Sequence, residues 1–407
     1  MHTVPPESVG LASEGLRRID QHLMSRYIEA GKIAGALTVV ARRGQLAWCS
    51  PLGLMDRERG KPMRADTIFR IYSMTKPITS VALMMLHERG VFSLADPVHR
   101  YIPAWANLRV YRYGRHPNFM TEPAARPMTI RDLLTHMSGL SYHILERTAV
   151  DEAYRKLGVG APPGTLHDMV EKLATLPLEF SPGARWSYSL ATDVIGHLIE
   201  VLTGQRFEDY LRTQIFEPLG MVDTSFTVPS DKLARLSANY QRAPGTSDVT
   251  LLDDPGDSTY ARPRTWCSGG GGLVSTAADY LRFAEMLRRG GELDGKRILG
   301  PRTLAYMTRN HLPEGRDLAS LATPGSFSET RFEGIGFGLG VYVVTDPVRA
   351  QVPSSAGEYG WGGLASTAFW VDPAEDLVVV FLTQLVPSTT FDFRGQLKAI
   401  VYGAIID

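Results

Sequence analysis

Strand-like sequence is gathered at the two ends of this 407-residue chain, and the long stretch between them reads mostly as helix. Near the start, apolar runs at 36–41 and 45–49 are split by Arg42-Arg43-Gly44, a hairpin signal. Near the end, strand-like runs fall at 338–345, 365–371 and 377–383, the last two separated by Asp372-Pro373-Ala374-Glu375. In between, helical spacing recurs at 129–136, 166–175, 191–202 and 207–216, broken by Ala161-Pro162-Pro163-Gly164 and Ser181-Pro182-Gly183. The pattern predicts an α+β fold: an antiparallel sheet built from both ends of the chain, with a helical region inserted. Two units follow, one from 1–85 and 218–407, the other from 86–217. Helices at 13–31, with Ser13 as its cap, and at 393–405 are expected to cover one face of the sheet.

Lys+Arg and Asp+Glu are both 43, so the formal net charge is zero and no run of like charges suggests nucleic acid or a membrane surface as a partner. No stretch of about 18 apolar residues occurs, and the opening residues do not read as a secretory leader, so a cytoplasmic protein is expected. The two cysteines, Cys49 and Cys267, read as separate thiols in preference to a disulfide.

Three segments carry chemistry. Ser73-Met74-Thr75-Lys76 enters a helical pattern at 75–87. The i,i+3 spacing sets hydroxyl and amine on one face, where a neutral lysine would take the serine proton. The serine amide at the helix start faces a developing oxyanion. Trp186-Ser187-Tyr188-Ser189-Leu190 follows a turn and precedes a helix, so the Tyr188 phenol is placed to shuttle protons, its pKa expected to fall beside an ammonium. Tyr359-Gly360-Trp361-Gly362-Gly363-Leu364 reads as a glycine-rich turn before a strand. There the Leu364 amide is a second oxyanion donor, and Trp361, Gly362 and Gly363 line the substrate pocket. Each segment alone also has an ordinary reading: a capping serine with a solvated lysine, a core aromatic, a β-turn.

Taken in this order, the segments resemble the serine β-lactamase and penicillin-binding-protein superfamily, and most closely the family VIII carboxylesterases, relatives of class C β-lactamases. Ser73-Met-Thr-Lys76-Pro, Leu133-Leu-Thr-His136-Met-Ser138-Gly-Leu140, Ser181-Pro-Gly-Ala-Arg-Trp186-Ser-Tyr188-Ser, Glu217-Pro-Leu-Gly220-Met and Trp361-Gly-Gly363 carry the resemblance, which spans nearly the whole chain. It implies a β-lactamase/transpeptidase-like fold and a cofactor-independent esterase for short-chain esters. Ser73 is then the nucleophile, Lys76 and Tyr188 the general-base pair, and the amides of Ser73 and Leu364 the oxyanion hole. Acyl transfer, weak β-lactamase or D-aminopeptidase activity, and a silent binding or scaffold role remain the alternatives.

Two departures weigh against β-lactams. The asparagine of the class C Tyr-x-Asn motif is Leu190 here, and the Lys-Thr-Gly motif is Trp361-Gly362-Gly363, which removes a cation that would meet a carboxylate. Neutral, more apolar esters are therefore expected, with slow or absent β-lactam turnover. Gly-x-Ser-x-Gly and His-Glu-x-x-His are absent and the ten histidines are scattered, so neither a nucleophile elbow nor a metal site is expected. His136 is read as a structural hydrogen-bonding residue, and Tyr142 and His143 as cleft-lining residues.

Overall fold

The computed structural model describes residues 1–161, 163–243, 245–246 and 248–407; Pro162, in the predicted proline-rich break, lies outside them. Its organising element is the run Leu377–Thr383, buried along its whole length. Residues alternate across a strand, and here Leu377, Val379 and Phe381 join one hydrophobic core while Val378, Val380 and Leu382 join another. The run is apolar throughout because both faces of the sheet are covered.

The main sheet has eight strands: β1 (Gly35–Arg42), β2 (Gln45–Asp56), β3 (Lys61–Pro62), β4 (Ile335–Phe337), β5 (Tyr342–Val344), β6 (Tyr359–Gly363), β7 (Thr367–Asp372) and β8 (Leu377–Thr383). Their order is β4-β5-β6-β7-β8-β1-β2-β3, with every pairing antiparallel. The ends of the chain meet where β1 pairs with β8, Val39 opposite Val380. On the outer face lie the two terminal helices, α1 (Ser13–Leu23) and α5 (Phe393–Tyr402), through Leu16, Ile19, Leu23, Phe393, Leu397 and Val401. On the inner face lie α2 (Thr75–Glu88) and α4 (Ala277–Arg288). Helix α3 (Ala191–Thr203) and the rest of the middle region continue that inner core, since Leu133, Tyr154 and Leu198 share one cluster with Val39 and Val380.

Four local expectations are corrected. The middle region contains a β-hairpin, Arg109–Arg115 with Asn118–Pro123, whose largely exposed residues carry little hydrophobic alternation. The first helix is α-helical only to Leu23 and goes on as a wider π turn over Met24–Ile28. Ser13 does not cap it: Ala12 is the N-cap, and the Ser13 amide is met by Glu7 Oε1 at 2.9 Å. Tyr359–Gly363 is itself a strand, and the turn comes after it, closed by the Ser366 amide on the Gly363 carbonyl at 2.9 Å.

Both cysteines are free thiols. Among the described residues no helix is long and apolar enough to cross a membrane, and no group of three His, Cys, Asp or Glu side chains is placed to share a metal ion.

Candidate active site

Ser73 lies on a short 3-10 turn, Tyr72–Met74, that runs directly into α2. Tyr72 has φ of 43°, a left-handed conformation that costs a bulky residue on the order of 1 kcal/mol and persists only where the surroundings hold it. They do so here. The Ile71 amide donates to the Leu273 carbonyl at 3.1 Å, Asn239 Nδ2 donates to the Tyr72 hydroxyl at 2.9 Å, and the Tyr280 hydroxyl donates to the Met74 carbonyl at 2.8 Å.

One turn further on, Lys76 Nζ stands 3.3 Å from Ser73 Oγ and 2.7 Å from the carbonyl oxygen of Gly270, to which it donates. The lysine is 1% exposed. Burial pulls its pKa down to about 8, against the opposing pull of the negative charges of Asp193 and Glu329. A substantial neutral fraction therefore exists near neutral pH, with its lone pair available to the serine.

The Gly269–Gly272 run is a close-approach device. A Cβ on Gly269 would lie 2.6 Å from the Thr192 carbonyl oxygen, and one on Gly270 would collide with the Asp193 carboxylate. Asp193, in the first turn of α3, accepts from the Ser268 hydroxyl at 2.5 Å and from the Gly270 amide at 3.2 Å. It thereby holds the carbonyl that holds the lysine.

Tyr188 sits just before α3, 1% exposed, with Lys76 Nζ 4.4 Å from its ring centroid. Its hydroxyl is close enough to Ser73 for the serine to favour the phenolate slightly, and Trp361 Nε1 donates to it at 3.4 Å. The three predicted side chains are thus brought together around Lys76. The expected direction of the phenol's pKa is overturned, however: burial pushes it well above 10, and Glu329 adds to the rise. The phenol is neutral, a hydrogen-bond donor rather than a standing phenolate. His136 packs on Tyr188 with ring centroids 5.0 Å apart, and its Nδ1 lies 3.1 Å from Ser189 Oγ. Burial and the lysine charge hold its pKa well below 6.5, so it supports Tyr188 as a neutral ring.

A cleft of about 560 Å³ opens above Ser73; Tyr72, Tyr142, His143, Tyr188, Phe327 and Leu364 are among its lining residues. A volume of that order suits a small organic ligand. Among the described residues, the amides of Ser73 and Leu364 donate no hydrogen bond within the protein. Tyr142, His143 and Leu364 line this cleft, whereas Trp361, Gly362 and Gly363 do not. Because Tyr359–Gly363 is a central strand, Trp361 packs behind Tyr188, with ring centroids 5.6 Å apart, and lines a separate cavity of about 280 Å³. The space beside Gly362 is filled by the Arg394 guanidinium, and that beside Gly363 by Thr367 Oγ1 and the Ile71 carbonyl. Sequence reasoning missed Gly270, Asp193 and Glu329. The glycine run was the one available signal, and it pointed to close approach only once a neighbour was known.

Comparison with known proteins gives consistent results. The family model described as Beta-lactamase matches residues 19–402. Esterase EstB of Burkholderia gladioli is 35% identical over 399 residues, covering 94% of this chain and 93% of that one. Protein Rv1367c of Mycobacterium tuberculosis is 36% identical over 377 residues, covering 92% and 91%. Among solved structures, EstCE1, titled a hydrolase with promiscuous acyltransferase activity, superposes with a TM-score of 0.80 at 28% identity over 96% of this chain and 99% of its own.

Proposed function

The chain belongs to the beta-lactamase family, on its family VIII carboxylesterase-like side, and we propose that it is a serine esterase for short-chain carboxylic esters working through an acyl-Ser73 intermediate. The carrying observation is Lys76: a buried amine 3.3 Å from the Ser73 hydroxyl, with a pKa lowered to about 8. Neutral Lys76 takes the Ser73 proton as Oγ attacks the ester carbonyl. The oxyanion is met by the amides of Ser73 and Leu364. Tyr188 passes the proton to the departing alkoxide, leaving acyl-serine and free alcohol. Water then attacks the acyl group, gives its proton back along the same route, and releases the acid with Ser73 restored. The groups come from both proposed units, Tyr188 from 86–217 and the others from 1–85 and 218–407, which puts the chemistry at their junction.

The test is p-nitrophenyl butyrate hydrolysis by Ser73→Ala. A folded variant without activity is expected; unchanged turnover would end the reading. A second reading, acyl transfer to an alcohol in place of water, is favoured by the EstCE1 neighbour, a hydrolase with promiscuous acyltransferase activity. Product partition with a competing alcohol separates the two, an ester product marking transfer and free acid marking hydrolysis.

A further inference from the structure

Two arginines give the cleft a cationic edge. Arg262 and Arg264 both line it. Arg264 is fixed in place: its Cζ lies 3.8 Å from the Tyr260 ring centroid, its Nε donates to the Thr259 carbonyl at 3.2 Å, and its Nη2 donates to Thr259 Oγ1 at 2.5 Å. Tyr260 is itself buried, with the Arg70 guanidinium 5.5 Å from its ring centroid. The loop is tied to the other lip by Thr265 Oγ1 donating to the Gly164 carbonyl at 2.9 Å. An arginine already held in one geometry loses little entropy on binding an anion.

Nothing on the lining neutralises these two charges. Asp253 is paired with Arg70 at 2.7 Å and accepts from Ser258 at 3.1 Å, and Glu329 is paired with Arg394. Among the described residues neither Arg262 nor Arg264 has an ion-pair partner, although most arginines of the protein do. The lining tyrosines Tyr72, Tyr142, Tyr188 and Tyr260 are all raised by burial and stay neutral, and His143 is lowered by burial.

We propose that Arg264, assisted by Arg262, is a specificity site for a carboxylate carried on the alcohol portion of the ester. Preferred substrates are then short acyl esters of hydroxy acids. The inference rests on the esterase reading above. With a short acyl group seated at the oxyanion amides, the part of the substrate long enough to reach the mouth is the leaving alcohol, and a guanidinium fork matches a carboxylate in two parallel hydrogen bonds. The cation lost from the Trp361-Gly362-Gly363 segment is thereby replaced from a different part of the chain, and the expectation of purely neutral substrates is revised.

The test compares 3-(4-acetoxyphenyl)propanoate with its primary amide, following acetate release by the wild-type protein, Arg264→Ala, Arg264→Lys and Arg262→Ala. The wild type is expected to favour the carboxylate about five- to twentyfold in kcat/KM, the range of a partly exposed, charge-assisted contact. Arg264→Ala should bring the ratio to about one with amide turnover unchanged. Arg264→Lys and Arg262→Ala should retain part of it, and 0.5 M NaCl should shrink the wild-type preference without any substitution. Equal rates on the two substrates in wild type, or a preference that survives removal of both arginines, would overturn the assignment while leaving the esterase intact. Failure of wild type to hydrolyse even the amide would sink the esterase reading and this inference together.

Discussion

Two lysines are buried beside tyrosines in this protein, and Trp361 packs against a tyrosine from each cluster, Tyr188 at 5.6 Å and Tyr342 at 6.4 Å between centroids. Lys398, on α5, has its charge answered: its Nζ pairs with Glu358 at 2.5 Å and lies 3.2 Å from the Tyr342 hydroxyl. The Glu358 carboxylate also accepts from Tyr342 and Tyr402, each at 2.8 Å. Lys76 has a carbonyl and a hydroxyl for company, and among the described residues no carboxylate within 4 Å. Burial is common to both. What separates the two is the counter-ion missing at Lys76, which leaves desolvation to win and brings its pKa to about 8.

Replacing each lysine by methionine tests that contrast most directly. Lys76→Met is expected to lower kcat/KM for p-nitrophenyl butyrate by about a thousandfold or more, on the scale of a lost general base. Its Tm should hold or rise, since no paired carboxylate is stranded. Lys398→Met should do the reverse. Catalysis of the folded fraction stays near wild type, while stability falls by about 3–5 kcal/mol because Glu358 is left buried and unpaired. Urea titration and initial rates on the same samples settle it, and a Lys398→Met variant as stable as the wild type would break the comparison. Tyr188→Phe comes next, with a loss of about a hundredfold as the relay between Ser73 and the leaving group disappears.

The pH profile assigns the titrating group. As the proposed base, Lys76 would act when neutral, so kcat/KM should rise with pH through about 8, roughly tenfold from pH 7 to pH 9, and then level off. Asp193 stabilises the ammonium form, so Asp193→Asn should move the inflection to lower pH and raise the relative rate at pH 7. The inflection should survive in Tyr188→Phe, because the phenol of Tyr188 stays protonated well above this range. Its disappearance in that variant would transfer the base role to the tyrosine.

Ser73 and Lys76 were readable because their relation is local, an i,i+3 spacing at a helix start that no packing detail can undo. The strands Gly35–Arg42 and Leu377–Thr383 were readable for a similar reason: buried on both faces, they keep nearly continuous apolar runs. The hairpin at Arg109–Pro123 was not, because its mostly exposed residues leave no period to detect. Neither was the surrounding of Lys76. The Gly270 carbonyl and Asp193 reach it from segments more than a hundred residues away, and the sign of the Tyr188 shift depends on how much water the fold removes. Trp361 was misplaced by one step of the same kind: what read as a turn facing substrate is a central strand, so its indole went behind the tyrosine instead of into the cleft.

That misplacement yields the smallest expected effect and a clean way to define it. Trp361 touches the chemistry only through a long hydrogen bond, 3.4 Å from Nε1 to the Tyr188 hydroxyl. Trp361→Phe keeps an aromatic ring against Tyr188 and Tyr342 but removes the donor, so kcat should fall only about two- to fivefold, the worth of one weak neutral hydrogen bond. If the indole acts by positioning the phenol, the loss must vanish in a Tyr188→Phe background, where no phenol remains to be positioned; a double-mutant cycle reads this as non-additivity. Full additivity would mean that Trp361 meets the substrate after all, and that the cleft extends behind Tyr188 towards the Lys398 cluster.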